Sequence, residues 1–190
     1  MRLDAVILAG GRGSRLGGVS KPELQLGGRS LLDAALAAAS GAVRTVVVGD
    51  VAVPDGVLRT REDPPFGGPV AGLEAGCRLL DAVAGRDRAE WTLVLAADLP
   101  DVEAAVAVLL AAEVGDRDGA CLLDADGRLQ WLLGCYRTAV LAPRLAVRGD
   151  IAAMYRLLEP LDLLGVPGAE ASTVDLDTPE DVAAWRRSRP

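Results

Sequence analysis

The chain of 190 residues contains no histidine. That absence excludes Ser-His-Asp and Cys-His catalysis and any imidazole-bound zinc, so its chemistry must come from carboxylates, cations, hydroxyls or a bound metal. Lysine is almost as scarce: of 20 basic residues, all but Lys21 are arginine. Acidic residues outnumber basic ones by 27 to 20, a net charge of -7. This balance argues against a duplex nucleic-acid partner, whose recognition would rest on clustered basic residues. Although 51% of the residues are hydrophobic, no apolar run reaches the roughly 18 residues of a membrane helix. The amino-terminal residues also lack the basic region, apolar core and cleavage site of a signal peptide. We therefore expect a soluble, cytoplasmic chain with no membrane partner. Cys77, Cys121 and Cys135 are odd in number and widely spaced in apolar sequence. They are expected to be reduced core residues, not disulfides or metal ligands.

The length suits one domain with a substantial core. Strand-like runs alternate with helical ones, which predicts an α/β fold: a mostly parallel sheet with helices on both faces. The predicted strands are Leu3 to Leu8, Val43 to Gly49, Val57 to Thr60 and Trp91 to Ala97. The predicted helices of this part are Ser30 to Ala39, Val70 to about Val83, and Val102 to Val114, with Asp101 as the cap of the last. Residues 85–90 read as a solvated connection. Further on, Gly119 to Leu123 and Leu129 to Tyr136 form a hairpin or a reversed strand in a mixed sheet, turning at Asp124-Ala-Asp-Gly-Arg128. Helices follow over Thr138 to Val147 and Asp150 to Leu158, and a last helix, opened by Thr178 and Pro179, runs to about Arg187. In an open parallel sheet the ligand crevice lies beyond the carboxyl ends of the strands, which selects Gly10, Asp50, Asp63 and Asp98.

The most informative stretch follows the first strand. Between Leu8 and Lys21 stand five glycines, Arg12, Arg15 and Lys21. Glycines let the backbone approach an oxyanion so that successive N–H groups converge on it, and the cations neutralise phosphate charge. Two familiar phosphate motifs fail on named positions. A P-loop requires Lys-Ser/Thr after its second glycine, but Val19 follows Gly18. A dinucleotide fingerprint requires a small third residue where Leu16 stands, and no acidic residue ends the second strand at the right distance. In so arginine-biased a chain, the one compact ammonium group fits a site where a flat guanidinium does not. We expect Lys21 to be an exposed loop cation that meets phosphate.

Leu8-Ala9-Gly10-Gly11-x-x-x-Arg15-Leu16-Gly17-Gly18-x-x-Lys21 resembles the signature of nucleotidyltransferases with a Rossmann-like fold. Within them it is most similar to the molybdenum cofactor guanylyltransferases, which join GMP to molybdopterin. The resemblance extends over nearly the whole chain, and this first loop is its most specific part. It implies a single nucleotidyltransferase domain over residues 1–190. Residues 1–100 would serve the nucleotide and residues 101–190 the acceptor. The implied substrates are GTP and molybdopterin, with Mg²⁺ as cofactor and pyrophosphate released. Proteins that deliver molybdopterin, or the apoenzymes that receive its product, are the implied transient partners.

The resemblance also assigns residues. Leu8, Ala9, Gly10, Gly11, Gly13, Ser14, Arg15 and Lys21 are expected at the triphosphate, with Arg15 and Lys21 carrying charge in the reaction. Gly68-Pro69-Val70-Ala71-Gly72-Leu73 resembles the Gly-Pro-Leu-Ala-Gly segment of the family. An acidic residue precedes it there and meets guanine; Glu62 and Asp63 are the candidates here. A carboxylate that accepts from guanine's N1–H and exocyclic amine disfavours bases that leave its lone pairs unmatched. Asp98-Leu99-Pro100 resembles the family's Asp-x-Pro segment, with Asp98 as Mg²⁺ ligand; Mg²⁺ favours one or two carboxylates plus phosphate oxygens and water. Gln130-Trp131-Leu132-Leu133 resembles the segment near the second substrate, and Arg148 and Arg156 are candidates for its phosphate. Asp175 and Asp177 share one side of an extended segment that resembles a family segment beside the active site, as additional candidates for the metal. The alternatives are cytidylyl transfer to the same pterin, a sugar-1-phosphate nucleotidyltransferase, and a nucleotide-binding regulator without catalysis.

Overall fold

The computed structural model describes residues 1–10, 15–16 and 19–168. The chain begins with β1 (Leu3–Leu8), two short hairpins β2 (Arg15–Leu16) with β3 (Val19–Ser20) and β4 (Gln25–Leu26) with β5 (Arg29–Ser30), then α1 (Leu31–Ala38). β6 (Thr45–Val48), β7 (Leu58–Thr60), α2 (Pro69–Ala84), β8 (Trp91–Ala96) and α3 (Val102–Ala111) complete the first part. β9 (Gly119–Leu123), β10 (Leu129–Arg137), α4 (Thr138–Ala146), α5 (Met154–Leu158) and β11 (Leu163–Pro167) follow.

Among the described residues one sheet has seven strands in the order β11-β9-β10-β8-β1-β6-β7. β8, β1, β6 and β7 run parallel, β10 is antiparallel to both its neighbours, and β11 returns parallel to β9. The mixed sheet and its reversed strand match the sequence reading.

Strand alternation divides the core into two layers. Ala5 and Ile7 of β1, with Leu93 and Leu95 of β8, face Leu32 and Ala35 of α1 and Val102, Val106 and Leu109 of α3. Val6 and Val94 face the other way, onto Leu73 and Leu80 of α2, Leu141 and Leu145 of α4, and Leu157 of α5. Strands buried on both faces read as the continuous apolar runs seen in β1 and β8. Small residues bring α2 close to the sheet: a Cβ on Gly76 would lie 2.7 Å from Val6 Cγ1 and one on Gly72 3.3 Å from Leu8 Cδ2. Helix ends obey local chemistry. Ser30 and Asp33 form a reciprocal capping box on α1, and Pro69 opens α2 where an N–H is not needed. All three cysteines are buried and unbridged, and burial pushes each thiol up to about 12.

Several expectations are corrected. Asp101 occupies the N-cap position of α3, but its side chain accepts no capping hydrogen bond, because its backbone is turned away from the extended conformation that aims a cap (φ -107, ψ 25). α5 starts at Met154, not Asp150; the preceding residues form turns, with Ile151 N–H bonded to the Arg148 carbonyl. Leu163–Pro167, not anticipated, is an edge strand. Residues 85–90 are not simply solvated: Arg88 reaches Asp4, which is fully buried in β1, and the Ala89 N–H donates to the same carboxylate at 3.1 Å. Arg44 lies 3.5 Å from the other oxygen of Asp4. A buried charge is tolerated only when paired and hydrogen-bonded, and this cluster closes the end of the sheet where β1 begins. The final segment, with Thr178, Pro179 and the predicted last helix, lies outside the described residues.

Candidate functional site

The carboxyl ends of the parallel strands point to one edge. There β1 passes into Ala9 and Gly10, with the Ala9 N–H bonded to the Val48 carbonyl at 2.8 Å. β8 continues its pairing one residue beyond its end, the Ala97 N–H donating to Leu8 at 2.9 Å. Asp98 is therefore the first residue released from the ladder. The Gly49 Cα packs so closely on the chain leaving β1 that a Cβ there would lie 2.8 Å from the Ala9 carbonyl oxygen. A residue without a side chain is required at that point.

Two cavities open on this edge. The first, about 410 Å³, is lined by Leu8, Gly10, Glu62, Phe66, Gly68 and Asp98, among others. The second, about 640 Å³, has the apolar walls Leu99, Trp131, Leu133 and Met154, with Gln130 and Tyr155. Gly68, Pro69, Ala96, Asp98 and Leu132 line both. The cavities thus meet along one wall that carries a carboxylate.

Lys21 lines neither cavity but approaches the carboxylate of that wall. It opens a short 3-10 turn, Lys21–Glu23, and is 9% exposed. Its Nζ lies 4.0 Å from Asp98 Oδ2, whereas the Asp98 side chain keeps 33% of its exposure. The expectation of an exposed loop cation is overturned: Lys21 is buried at the start of the turn, and its proximity to the Asp98 carboxylate compensates that burial.

The loop before α2 supplies the opposite side of the first cavity. Glu62 lines it, and its Oε1 accepts the Phe66 N–H at 3.0 Å. Asp63 is exposed and lies outside the lining of either cavity. Phe66, which sequence reasoning missed, sits at the cavity with φ 65 and its ring 5.6 Å from the Arg61 guanidinium. A positive φ on a bulky residue is a strained arrangement of the kind found at binding sites, and nothing in the sequence around Pro65 and Gly67 marks it. Gly68 also has a positive φ of 86, and a Cβ there would come within 3.4 Å of the Ala152 carbonyl oxygen.

The structure brings together Leu8, Gly10, Lys21, Glu62, Gly68 and Asp98. Ala9 is buried beside them in the backbone path. Asp50 is exposed and lines neither cavity. Arg148 is engaged by Glu74 of α2, and Arg156 donates to the Tyr155 hydroxyl at 2.9 Å; neither lines the second cavity. Arg15 lies on β2, paired with Ser20. Gly11, Arg12, Gly13, Ser14, Asp175 and Asp177 lie outside the described residues. No described helix is long and apolar enough to cross a membrane.

A family model described as a MobA-like NTP transferase domain matches residues 5–164. Over 104 residues the chain is 43% identical to a protein from Acidiphilium cryptum named molybdenum cofactor guanylyltransferase, covering 52% of this chain and 51% of that one. It is 35% identical over 195 residues to a protein of the same name from Cereibacter sphaeroides, covering 96% and 95% of the two chains. In fold it is similar to the crystal structure of molybdopterin-guanine dinucleotide biosynthesis protein A from Archaeoglobus fulgidus. That match has a TM-score of 0.68 and 20% identity, over 98% of this chain and 97% of that one.

Proposed function

The chain belongs to the family of MobA-like NTP transferase domains, and on that premise we propose that it transfers GMP from GTP to molybdopterin, releasing pyrophosphate. The observation that carries this reading is the pair of cavities sharing the Asp98 wall, with Lys21 Nζ 4.0 Å from its carboxylate. A nucleotidyl transfer joins two substrates at one phosphorus, and two cavities with one charged seam suit that geometry.

GTP occupies the first cavity, its base toward Glu62 and its phosphates toward the backbone of Gly10 and the loop that follows. Glu62 accepts from guanine N1–H and the exocyclic amine, pairs that adenine and cytosine do not offer. Molybdopterin occupies the second cavity, its ring system between apolar walls and its phosphate at Asp98. The phosphate attacks the α-phosphorus in line, and the chain contributes chiefly positioning and charge stabilisation, for which histidine is not required. Lys21 offsets charge that grows on the triphosphate in the transition state. Arg15, Gly11, Gly13 and Ser14 complete the phosphate loop.

Asp98, a hard oxygen donor with partial exposure between the two cavities, fits Mg²⁺, which takes one or two carboxylates and completes its shell with phosphate oxygens and water. Asp175 and Asp177 are the further carboxylates we assign to it. Bound there, Mg²⁺ supplies charge neutralisation on the triphosphate and the leaving pyrophosphate. We assign the reaction to the cytoplasm, where the three buried thiols stay reduced.

The test is a pyrophosphate-release assay with molybdopterin, Mg²⁺ and each nucleoside triphosphate in turn, with the product mass determined. The expected result is release with GTP and a GMP adduct of the pterin. A CMP adduct, an adduct only with a sugar phosphate, or nucleotide binding without release would each contradict the proposal.

A further inference from the structure

The second cavity is mainly apolar, and Gln130 stands in its lining as a neutral hydrogen-bonding group. Its Nε2 donates to Asp124 Oδ2 at 2.8 Å in a part-buried contact. Asp124 is itself held by the turn between β9 and β10. Its Oδ1 accepts the Asp126 and Arg128 N–H groups, each at 2.9 Å, and its own N–H donates to the Arg128 carbonyl at 3.0 Å. The turn closes through Gly127 at φ 77. This carboxylate therefore does two things: one oxygen makes the turn, and the other faces Gln130.

An ionised carboxylate offers only acceptors, while a carboxamide has a donor end and an acceptor end. Asp124 thus decides which end of the Gln130 amide faces it. The nitrogen is drawn to Asp124, and Oε1 is the end of the amide left outside that contact. The nearby Trp131 is partly buried against the core and contributes an aromatic wall to the same cavity.

We propose that Gln130 is a specificity residue for the acceptor, its carbonyl oxygen receiving an N–H from a planar heterocycle, and that Asp124 is the positioning residue that fixes this polarity. The inference rests on the proposed transfer to a pterin and adds to it the group that reads the ring. A ring edge bearing N–H groups is recognised; an analogue with only acceptors on that edge is rejected, because it leaves Oε1 facing a lone pair.

Three variants test this in the same assay of GMP transfer to molybdopterin. Asp124→Asn keeps an oxygen for the turn but presents an amide nitrogen to Gln130, which inverts the Gln130 amide and turns its donors to the ligand. We expect KM for the acceptor to rise about tenfold, the size of one lost hydrogen bond, with KM for GTP and kcat unchanged. Gln130→Ala, which leaves the turn intact, should give the same split. The double variant Asp124→Asn with Gln130→Glu restores an acceptor oxygen toward the ligand and should recover most of the acceptor KM.

If Gln130→Ala transfers with the wild-type acceptor KM, the proposal is overturned while the transfer reaction stands. If Asp124→Asn raises KM but the double variant does not recover it, Asp124 serves only the turn, and the proposal is again overturned. If the wild-type protein makes no pterin adduct at all, the functional reading fails and this inference with it.

Discussion

Replacing Lys21 by methionine removes one ammonium group and keeps most of the side chain's apolar length. Lys21 is 9% exposed, so the substitution leaves no large cavity and relieves the desolvation of a charge. The native ion pair with Asp98, at 4.0 Å, offsets part of that desolvation; unit charges at this distance attract by about 4 kcal/mol at an effective dielectric of 20. The two effects on stability oppose each other, and replacing a buried charge by an apolar group of similar volume is often neutral or stabilising. We expect the melting temperature to hold within about 4 °C, roughly the shift caused by 1 kcal/mol in a domain of this size. Turnover is another matter. Loss of one charge-stabilising group from a preorganised site raises the barrier by roughly 2.7–4 kcal/mol, a fall in kcat of about 10²–10³. Lys21→Arg should not restore it, since the planar guanidinium does not fit a space shaped for a compact ammonium. Pyrophosphate release at saturating GTP, Mg²⁺ and acceptor, with thermal melts on the same samples, measures both quantities. Turnover within twofold of wild type in Lys21→Met would refute the role, and a melt lowered by more than about 10 °C would show that Lys21 is chiefly structural.

Asp98→Asn should lower activity and raise the Mg²⁺ concentration needed for half-maximal turnover; an unchanged Mg²⁺ titration would remove Asp98 from the metal. Asp4→Ala strips Arg88 and Arg44 of a buried partner and should cost about 3–5 kcal/mol of stability, while activity below the melt stays near wild type because Asp4 lies at the far end of β1 from Gly10. A fall in activity at full occupancy of the folded state would contradict that separation. Cys77, Cys121 and Cys135 are buried with thiols pushed up to about 12, so a thiol reagent should label none of them in the native protein at pH 8 and all three after denaturation. Fast labelling of the folded chain would overturn the burial of these cysteines in α2, β9 and β10.

The sequence carried the sheet and much of the site, for identifiable reasons. β1 and β8 are buried on both faces and so read as unbroken apolar runs, and Pro69 and Ser30 mark helix starts through their own local chemistry. Gly10 and Asp98 were selectable because the end of a parallel strand is a position that periodicity reveals. Lys21 was conspicuous by composition, yet its burial depends on a single 3-10 turn, which periodicity does not report. The choice between Glu62 and Asp63 was open because alternation stops in a proline-rich loop; the structure turns Glu62 to the cavity and Asp63 to solvent. Arg88 looked like part of a charged connection because its partner, Asp4, lies 84 positions away. β11 was missed because a short edge strand containing Gly165 and ending in Pro167 has weak strand character. Asp124 was legible as a turn residue, but its second oxygen acts on Gln130 across the hairpin, a contact visible only in three dimensions.

The most direct test of the central claim is a crystal structure of the protein with Mg²⁺ and a GTP analogue that cannot release pyrophosphate. The claim predicts the base against Glu62, the triphosphate between Gly10 and Lys21, and the α-phosphorus facing the second cavity beside Asp98. A nucleotide bound anywhere else, with Glu62, Lys21 and Asp98 out of contact with it, would contradict it.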